Sequence, residues 1–335
     1  MNEQDTPLSD LLPVLDQLAE EALALWDVPS DAHATRINVS ENVTYLVDAA
    51  GFKSVLRIHR HGYNSPNAIA CELDWLTALG RDTQVTTPGI LTGRNGARIQ
   101  QATTRGLTAP RFMVMFAFLE GQAPDESSDL APGFEELGTI AAHCHDHVLS
   151  WPKPDGFERL TWDENTVFGA HATWGNWRDA PGVTPVMRPV LERLETTVTT
   201  RLRAFGKGPD RFNLIHADMR LANLIIGPDG TRLIDFDDCG FSWFLYDFAA
   251  AISFIETDPR IPDLKAAWLR GYRSVRALSS EDEAEIDTFI MLRRMALLAW
   301  IGSHIEAPEP QALAPHFAHG TAQLAQDYLS KHGPQ

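Results

Sequence analysis

Apolar residues recur at Leu8, Leu11, Leu12, Leu15, Leu18, Ala22 and Trp26, with acids between them. That spacing predicts an amphipathic helix stopped near Pro29. From residue 35 the period shortens. Residues 37–50 and 52–60 are rich in β-branched residues and meet at Gly51, which predicts a hairpin. Residues 68–80 return to a helical period and end on Gly80. Residues 89–93 and 97–104 read as short strands around Asn95 and Gly96, followed by an apolar run over 111–121. Beyond Gly121 the pattern is mostly helical, with long segments at 134–151, 184–206 and 286–306. Two features interrupt it. One is an irregular stretch carrying Trp151, Trp162, Phe168, Trp174 and Trp177. The other is a β-like island at 212–238 with a Pro-Asp-Gly turn between two apolar runs. A strand-rich part followed by a larger helical part belongs to the α+β class.

Composition narrows this picture without changing it. A chain of 335 residues holds two domains sharing an interface, or one large one. A hydrophobic share of 44% suits a packed core and excludes disorder as the main state. No apolar run approaches the roughly 18 residues of a membrane span. The first residues lack the basic flank and apolar stretch of a secretory signal. Cys71, Cys144 and Cys239 are scattered and odd in number, which argues against a disulfide framework. The expected location is the cytoplasm. A formal charge of −17 disfavours nucleic acid and anionic lipid, and favours a cationic second substrate over a phosphorylated one. ATP stays compatible, because local cations and a metal neutralise its phosphates.

The chemistry concentrates in the island. Asp218 and Asn223 stand five residues apart on a loop, and Asp235 follows twelve residues later in Ile234-Asp235-Phe236-Asp237-Asp238. Phosphoryl transfer needs a hydroxyl aimed at the γ-phosphorus and cations on the phosphate oxygens. One carboxylate can take or orient the hydroxyl proton. An amide oxygen and a second carboxylate suit magnesium.

The ordered set of His216-x-Asp218-x-x-x-x-Asn223, a hairpin, Asp235-Phe236 and then Tyr246-Asp247-Phe248-Ala249 resembles the aminoglycoside phosphotransferase and choline kinase-like superfamily. That family includes type II homoserine kinases, hydroxylysine kinases and stress-response protein kinases. The resemblance implies a protein kinase-like bilobal fold. Residues 1–118 are the antiparallel-sheet N-lobe with its N-terminal helix, and 119–335 the helical C-lobe with the catalytic loop and acceptor site. It implies ATP and Mg2+ as cofactors, Asp218 as catalytic base, Asn223 and Asp235 as magnesium ligands, and Asp247 as a brace for the loop. Arg220, also assigned to catalysis, forks onto the γ-phosphate or the substrate, or else pairs with Asp237 or Asp238. His216 is expected to brace the loop. Asp237 either joins the metal surroundings or caps a helix.

On the nucleotide side, the resemblance places Ser40-Glu41-Asn42 in a loop over the phosphates, where the Ser40 hydroxyl and backbone N–H groups serve; an ordinary β-turn is the alternative. Arg57 falls where the family carries a basic residue on its third strand. Glu72, fifteen residues on, is placed to hold it, against the alternative of a surface ion pair. Residues 113–121 resemble the strand and hinge between lobes. Adenine would meet the backbone near Phe116 and Phe118, with Met115 either walling its pocket or filling the core.

Acceptor choice is expected from two regions. Phe241-Ser242-Trp243-Phe244 would face the γ-phosphate. The Trp162-to-Trp177 stretch, with Asp163, Glu164 and Asp179, offers aromatic faces and carboxylates suited to an ammonium group, or simple packing. The expected acceptor is a small amino alcohol or other hydroxylated amine. Alternatives are a stress-response serine/threonine protein kinase and a nucleotide-binding pseudokinase. His143, Cys144, His145 and His147 raise a zinc reading, but on a helix only His143 and His147 share a face. Arg293-Arg294 reads as a helix–helix salt bridge. The chain is expected to act as a monomer or homodimer.

Overall fold

The computed structural model describes residues 7–40, 42–124, 129–227 and 230–333. Glu41 of the expected phosphate loop and Pro228-Asp229 of the expected turn lie outside the described residues. Helix α1 (Leu8–Ala22) buries Leu15, Leu18, Ala19 and Ala22, the face its apolar spacing defines. Strands β1 (His33–Val39), β2 (Val43–Ala49) and β3 (Phe52–Ile58) follow, and then α2 (Pro66–Asp82). The β2–β3 hairpin closes with Ala49 opposite Phe52, and Gly51 takes the left-handed φ of 76° that the turn demands. At the start of α2 the Ser65 hydroxyl accepts from the Ala68 N–H at 3.0 Å, a capping bond.

Strands β4 (Ile90–Leu91), β5 (Gln100–Ala102) and β6 (Arg111–Ala117) complete an antiparallel sheet of order β1-β2-β3-β6-β4. The short strands flanking Asn95 and Gly96 do not pair with each other; each joins β6. Alternation along β6 sends Met113 and Met115 to the outer face, where they pack with Leu15, Leu18 and Trp26. Val114 and Phe116 point inward, into the cluster of Ile69 and Leu73 from α2. A strand covered on both faces explains the unbroken apolar run over 111–121.

The helical part comprises α3 (Ala131–Ser150), α4 (Glu164–Phe168), α5 (Arg188–Phe205), α6 (Tyr246–Ala251), α7 (Ile261–Val275), α8 (Ser280–Ala284), α9 (Ile286–Ser303) and α10 (Pro308–His332). Among these lie a small sheet of β7 (Leu160–Thr161), β8 (Phe212–Ile215) and β11 (Gly240–Trp243), and a hairpin of β9 (Leu224–Gly227) and β10 (Gly230–Leu233). Helices α3 and α7 touch through glycine. A Cβ on Gly271 would lie 1.8 Å from the Glu135 carbonyl oxygen, and one on Gly138 2.0 Å from that of Trp268. Helix α9 is apolar nearly all round because α5, α6 and α10 surround it. The inner cluster runs without a break from α2 and β6 into α3, α6 and α9. Among the described residues, no helix is long and apolar enough to cross a membrane.

Candidate active site

A cleft of about 670 Å³ opens between the inner edge of the sheet and the helical part, and Asp218, Asn223 and Asp235 all line it. The loop that carries Asp218 is held from behind. The buried Asp247 carboxylate accepts from the Ala217 N–H at 2.7 Å and the His216 N–H at 3.3 Å. Asp247 is fixed in turn by His145 Nε2 at 2.9 Å, and His145 Nδ1 lies 3.1 Å from the Tyr272 hydroxyl. His216 Nε2 lies 3.0 Å from the Ile234 carbonyl, tying the loop to the segment that carries Asp235. The bracing expected of His216 and Asp247 is thus visible as hydrogen bonds.

Three non-glycine residues have positive φ among the described residues: Ala217 at 65°, Asp235 at 64° and Phe254 at 73°. All three flank the cleft. Backbone in this region costs on the order of 1–3 kcal/mol per residue, and it persists where the surrounding packing dictates it.

The three central side chains interlock. Asn223 donates its amide to the Asp218 carbonyl and to Asp218 Oδ2, both at 2.8 Å, which leaves its amide oxygen to meet a cation. Asp218 Oδ1 accepts from Arg293 Nη2 at 2.7 Å. The Asp235 side chain is 45% open to the cleft. Desolvation there works against its charge and Arg57 works for it; Asp237, Asp218 and Glu72 add like charge, and its pKa is pushed up to about 7.

On the nucleotide side, Arg57 Nη2 meets Glu72 Oε1 at 2.6 Å with both side chains buried, so the pair is internal rather than superficial. Arg57 also stands 4.0 Å from Asp235 and 3.9 Å from Asp237. Burial opposes its charge, but Glu72, Asp237 and Asp235 outweigh that and hold its pKa above the ordinary value. Ser40 and Asn42 line the cleft. The Asn42 side chain is committed, however: it donates to Asp237 at 2.6 Å and accepts from the Arg60 N–H at 3.2 Å, so it bridges the sheet to the Asp235 segment. Phe116 lies under the Arg57 guanidinium, 5.2 Å from ring to charge. Phe118 directly follows Ala117, which closes β6 by donating its N–H to the Gly89 carbonyl, and Lys53 sits 5.3 Å from the Phe118 ring. Met115 needs correcting as an adenine wall, since strand alternation turns it to the outer core under α1.

The acceptor side departs further from expectation. The 241–244 segment does not face the cleft: Phe241, Ser242 and Trp243 belong to β11, the Ser242 hydroxyl donates to the Trp162 carbonyl, and Phe244 stacks on His145. Asp163 caps α4 and pairs with Lys207 at 2.6 Å, with Glu164 3.5 Å from the same ammonium. Asp179 does not line the cleft, and Trp177 donates to Glu195. Trp162 props the 235–238 segment by donating to the Asp238 carbonyl at 2.8 Å. Of the tryptophan-rich stretch only Trp174 reaches the cleft, where it meets Trp300, whose ring also meets Phe254.

Arg293 is the main revision. Arg294 does form the expected interhelical pair, with Glu256, and lies over the Phe317 ring. Arg293, one residue earlier on α9, instead faces the cleft and holds Asp218. Its apolar neighbours gave the sequence no sign of this. Arg220 takes neither Asp237 nor Asp238; it lies 3.4 Å from Asp218 and 3.2 Å from Glu309. Arg159 was also unforeseen. Buried under the Asp235 segment, it donates to the carbonyls of Asp237, Cys239 and Ala68. The proposed zinc residues are engaged elsewhere, His145 with Asp247 and His147 with Asp82, and the described residues contain no cluster of three metal-binding side chains.

Comparison with known proteins places this arrangement. A solved structure of a microcompartment-associated aminopropanol kinase is 42% identical, covers 95% of this chain and 99% of its own, and superposes with a TM-score of 0.87. An amicoumacin kinase solved with AMP-PNP, Ca2+ and amicoumacin is 17% identical over 94% of this chain and 96% of its own, with a TM-score of 0.76. The amicoumacin kinase of Bacillus subtilis (strain 168) is 24% identical, covering 84% of this chain and 83% of its own. The family model described as the phosphotransferase enzyme family matches residues 33–278. The chain therefore belongs to the phosphotransferase enzyme family, with the bilobal kinase-like fold of its relatives.

Proposed function

We propose that this protein is an ATP-dependent kinase that moves the γ-phosphoryl group to the hydroxyl of a small amino alcohol, and that it does so in the cytoplasm. The observation that carries the reading is the meeting of Asp218, Asn223 and Asp235 in one cleft beside the Arg57–Glu72 pair. Nucleotide phosphates fit between the 40–42 loop and Arg57, on the side formed by residues 1–118. The family membership and the 42% identity to an aminopropanol kinase support the acceptor class. Buried free thiols at Cys71, Cys144 and Cys239 suit a reducing compartment.

Asn223 and Asp235 are the residues we assign to magnesium. Both line the cleft and can offer it oxygen donors, as that ion prefers, with Asp218 and Asp237 beside them. When bound, the ion neutralises phosphate oxygens. The rest falls to the side chains. Asp218, held by Arg293 and Asn223, orients the acceptor hydroxyl and takes its proton as the new O–P bond forms and the bond from the γ-phosphorus to the bridging oxygen of ADP breaks. Arg57 steadies the phosphates by charge. The rings of Trp174, Trp300 and Phe254 give the acceptor an apolar wall whose faces attract an ammonium group.

ADP release, measured over a panel of small alcohols with and without amines, tests the reading. Turnover of amino alcohols is expected, with little on neutral sugars. The reverse pattern would overturn the assignment.

A further inference from the structure

Five acidic side chains line the cleft: Asp218, Asp235, Asp237, Asp238 and Glu309. Four are committed to chemistry or to bracing. Asp218 is the assigned base and Asp235 an assigned metal ligand. Asp237 accepts from Asn42 and Asn64, and Asp238 from the Tyr63 hydroxyl at 3.0 Å. Glu309 differs in origin and surroundings. It comes from the first turn of α10, its side chain is 46% exposed, and its partner is Arg220, whose guanidinium also lies 5.5 Å from the Phe254 ring and 3.4 Å from Asp218.

Resting on the amino alcohol reading, we propose that Glu309 is the counter-ion of the acceptor ammonium, and that Arg220 holds its place until the acceptor arrives. One cation on Glu309 then replaces another. The incoming ammonium meets the carboxylate beside Phe254, and the displaced Arg220, still next to Asp218, becomes available to the transferring phosphoryl group. The exchange explains why a cleft that must hold triphosphate spends an arginine on a rim glutamate. It also couples acceptor binding to catalysis: an alcohol without an amine leaves Arg220 on Glu309 and gains no added positive charge at the reacting centre. A half-exposed ion pair is weak, which makes the replacement inexpensive.

The test compares aminopropanol with its uncharged isostere butanol as acceptors, in the wild type and in Glu309→Gln. Expected is a wild-type preference for the amine in kcat/KM. Glu309→Gln should cut that preference about tenfold, through the aminopropanol KM, while the KM for ATP moves less than about twofold. Calorimetric titration of aminopropanol, with magnesium and a non-hydrolysable nucleotide present, should show the same loss, and Glu309→Asp should restore part of it. Arg220→Gln removes the competing cation, so aminopropanol should bind several-fold tighter while kcat falls. A wild-type preference that survives Glu309→Gln, or weaker amine binding in Arg220→Gln, overturns the proposal and leaves the kinase reading standing. A wild type that turns over neither acceptor, or shows no preference for the amine, overturns both.

Discussion

The two sides of the cleft are drawn from the chain in different ways. The residues we assign to the phosphates come from short, ordered spans: the 216–223 loop, the 235–238 segment, and a strand and helix that bring Arg57 to Glu72. The residues we assign to the acceptor come from a loop after α4, the turn after α6, one face of α9 and the start of α10. Chemistry fixes the first set, because a base, a metal and a triphosphate need donors at set separations. Recognition fixes the second set only in space, so any element that reaches the cavity can supply a side chain.

That contrast can be broken by experiment. The largest expected effect is Asp218→Asn. Turnover should fall about 10²–10⁴-fold, while calorimetry still detects nucleotide binding. Unchanged turnover would remove Asp218 from the chemistry. Next is Glu72→Gln, which takes from the buried Arg57 guanidinium the anion at 2.6 Å and leaves it only Asp235 and Asp237, at 4.0 and 3.9 Å. A loss of about 3 kcal/mol in urea unfolding is expected, with a raised KM for ATP and little change in the acceptor KM. A larger effect on the acceptor than on ATP would erase the division between the two sides. Arg293→Lys keeps the charge but loses the fork on Asp218 and Ser253. It should lower kcat about tenfold and leave the KM for ATP nearly unchanged. Were the KM for ATP to rise while kcat held, Arg293 would belong to the nucleotide side. The smallest effect is Asn42→Ala, which removes the bridge to Asp237 but leaves Asn64 there. A rise of a few-fold in the KM for ATP is expected, without loss of acceptor selectivity.

Much of the nucleotide side was legible in the sequence because its signals are local. The Asp218-to-Asn223 spacing, the hairpin and Asp235 lie within 20 residues, and Glu72 follows Arg57 by only fifteen, where the family resemblance expects its partner. The sequence could not choose between pocket and core for Met115, because a strand covered on both sides is apolar at every position and its alternation is hidden. The acceptor side was less legible. Trp162, Trp174 and Trp177 look equivalent in sequence, yet one props a carbonyl, one reaches the cleft and one pairs with Glu195. Arg293 and Arg294 are adjacent on one helix, and a rotation of about 100° per residue sends the first to Asp218 and the second to Glu256. Nothing in their order tells which is which.

The unbroken apolar cluster beneath the sheet has a mechanical consequence. Swinging the two lobes apart would bare it to water, and each 100 Å² so exposed costs about 2.5 kcal/mol. Opening the cleft by parting its two sides is therefore costly. Rearrangement confined to the rim, such as exchange of the Arg220–Glu309 pair at 3.2 Å, leaves that cluster covered.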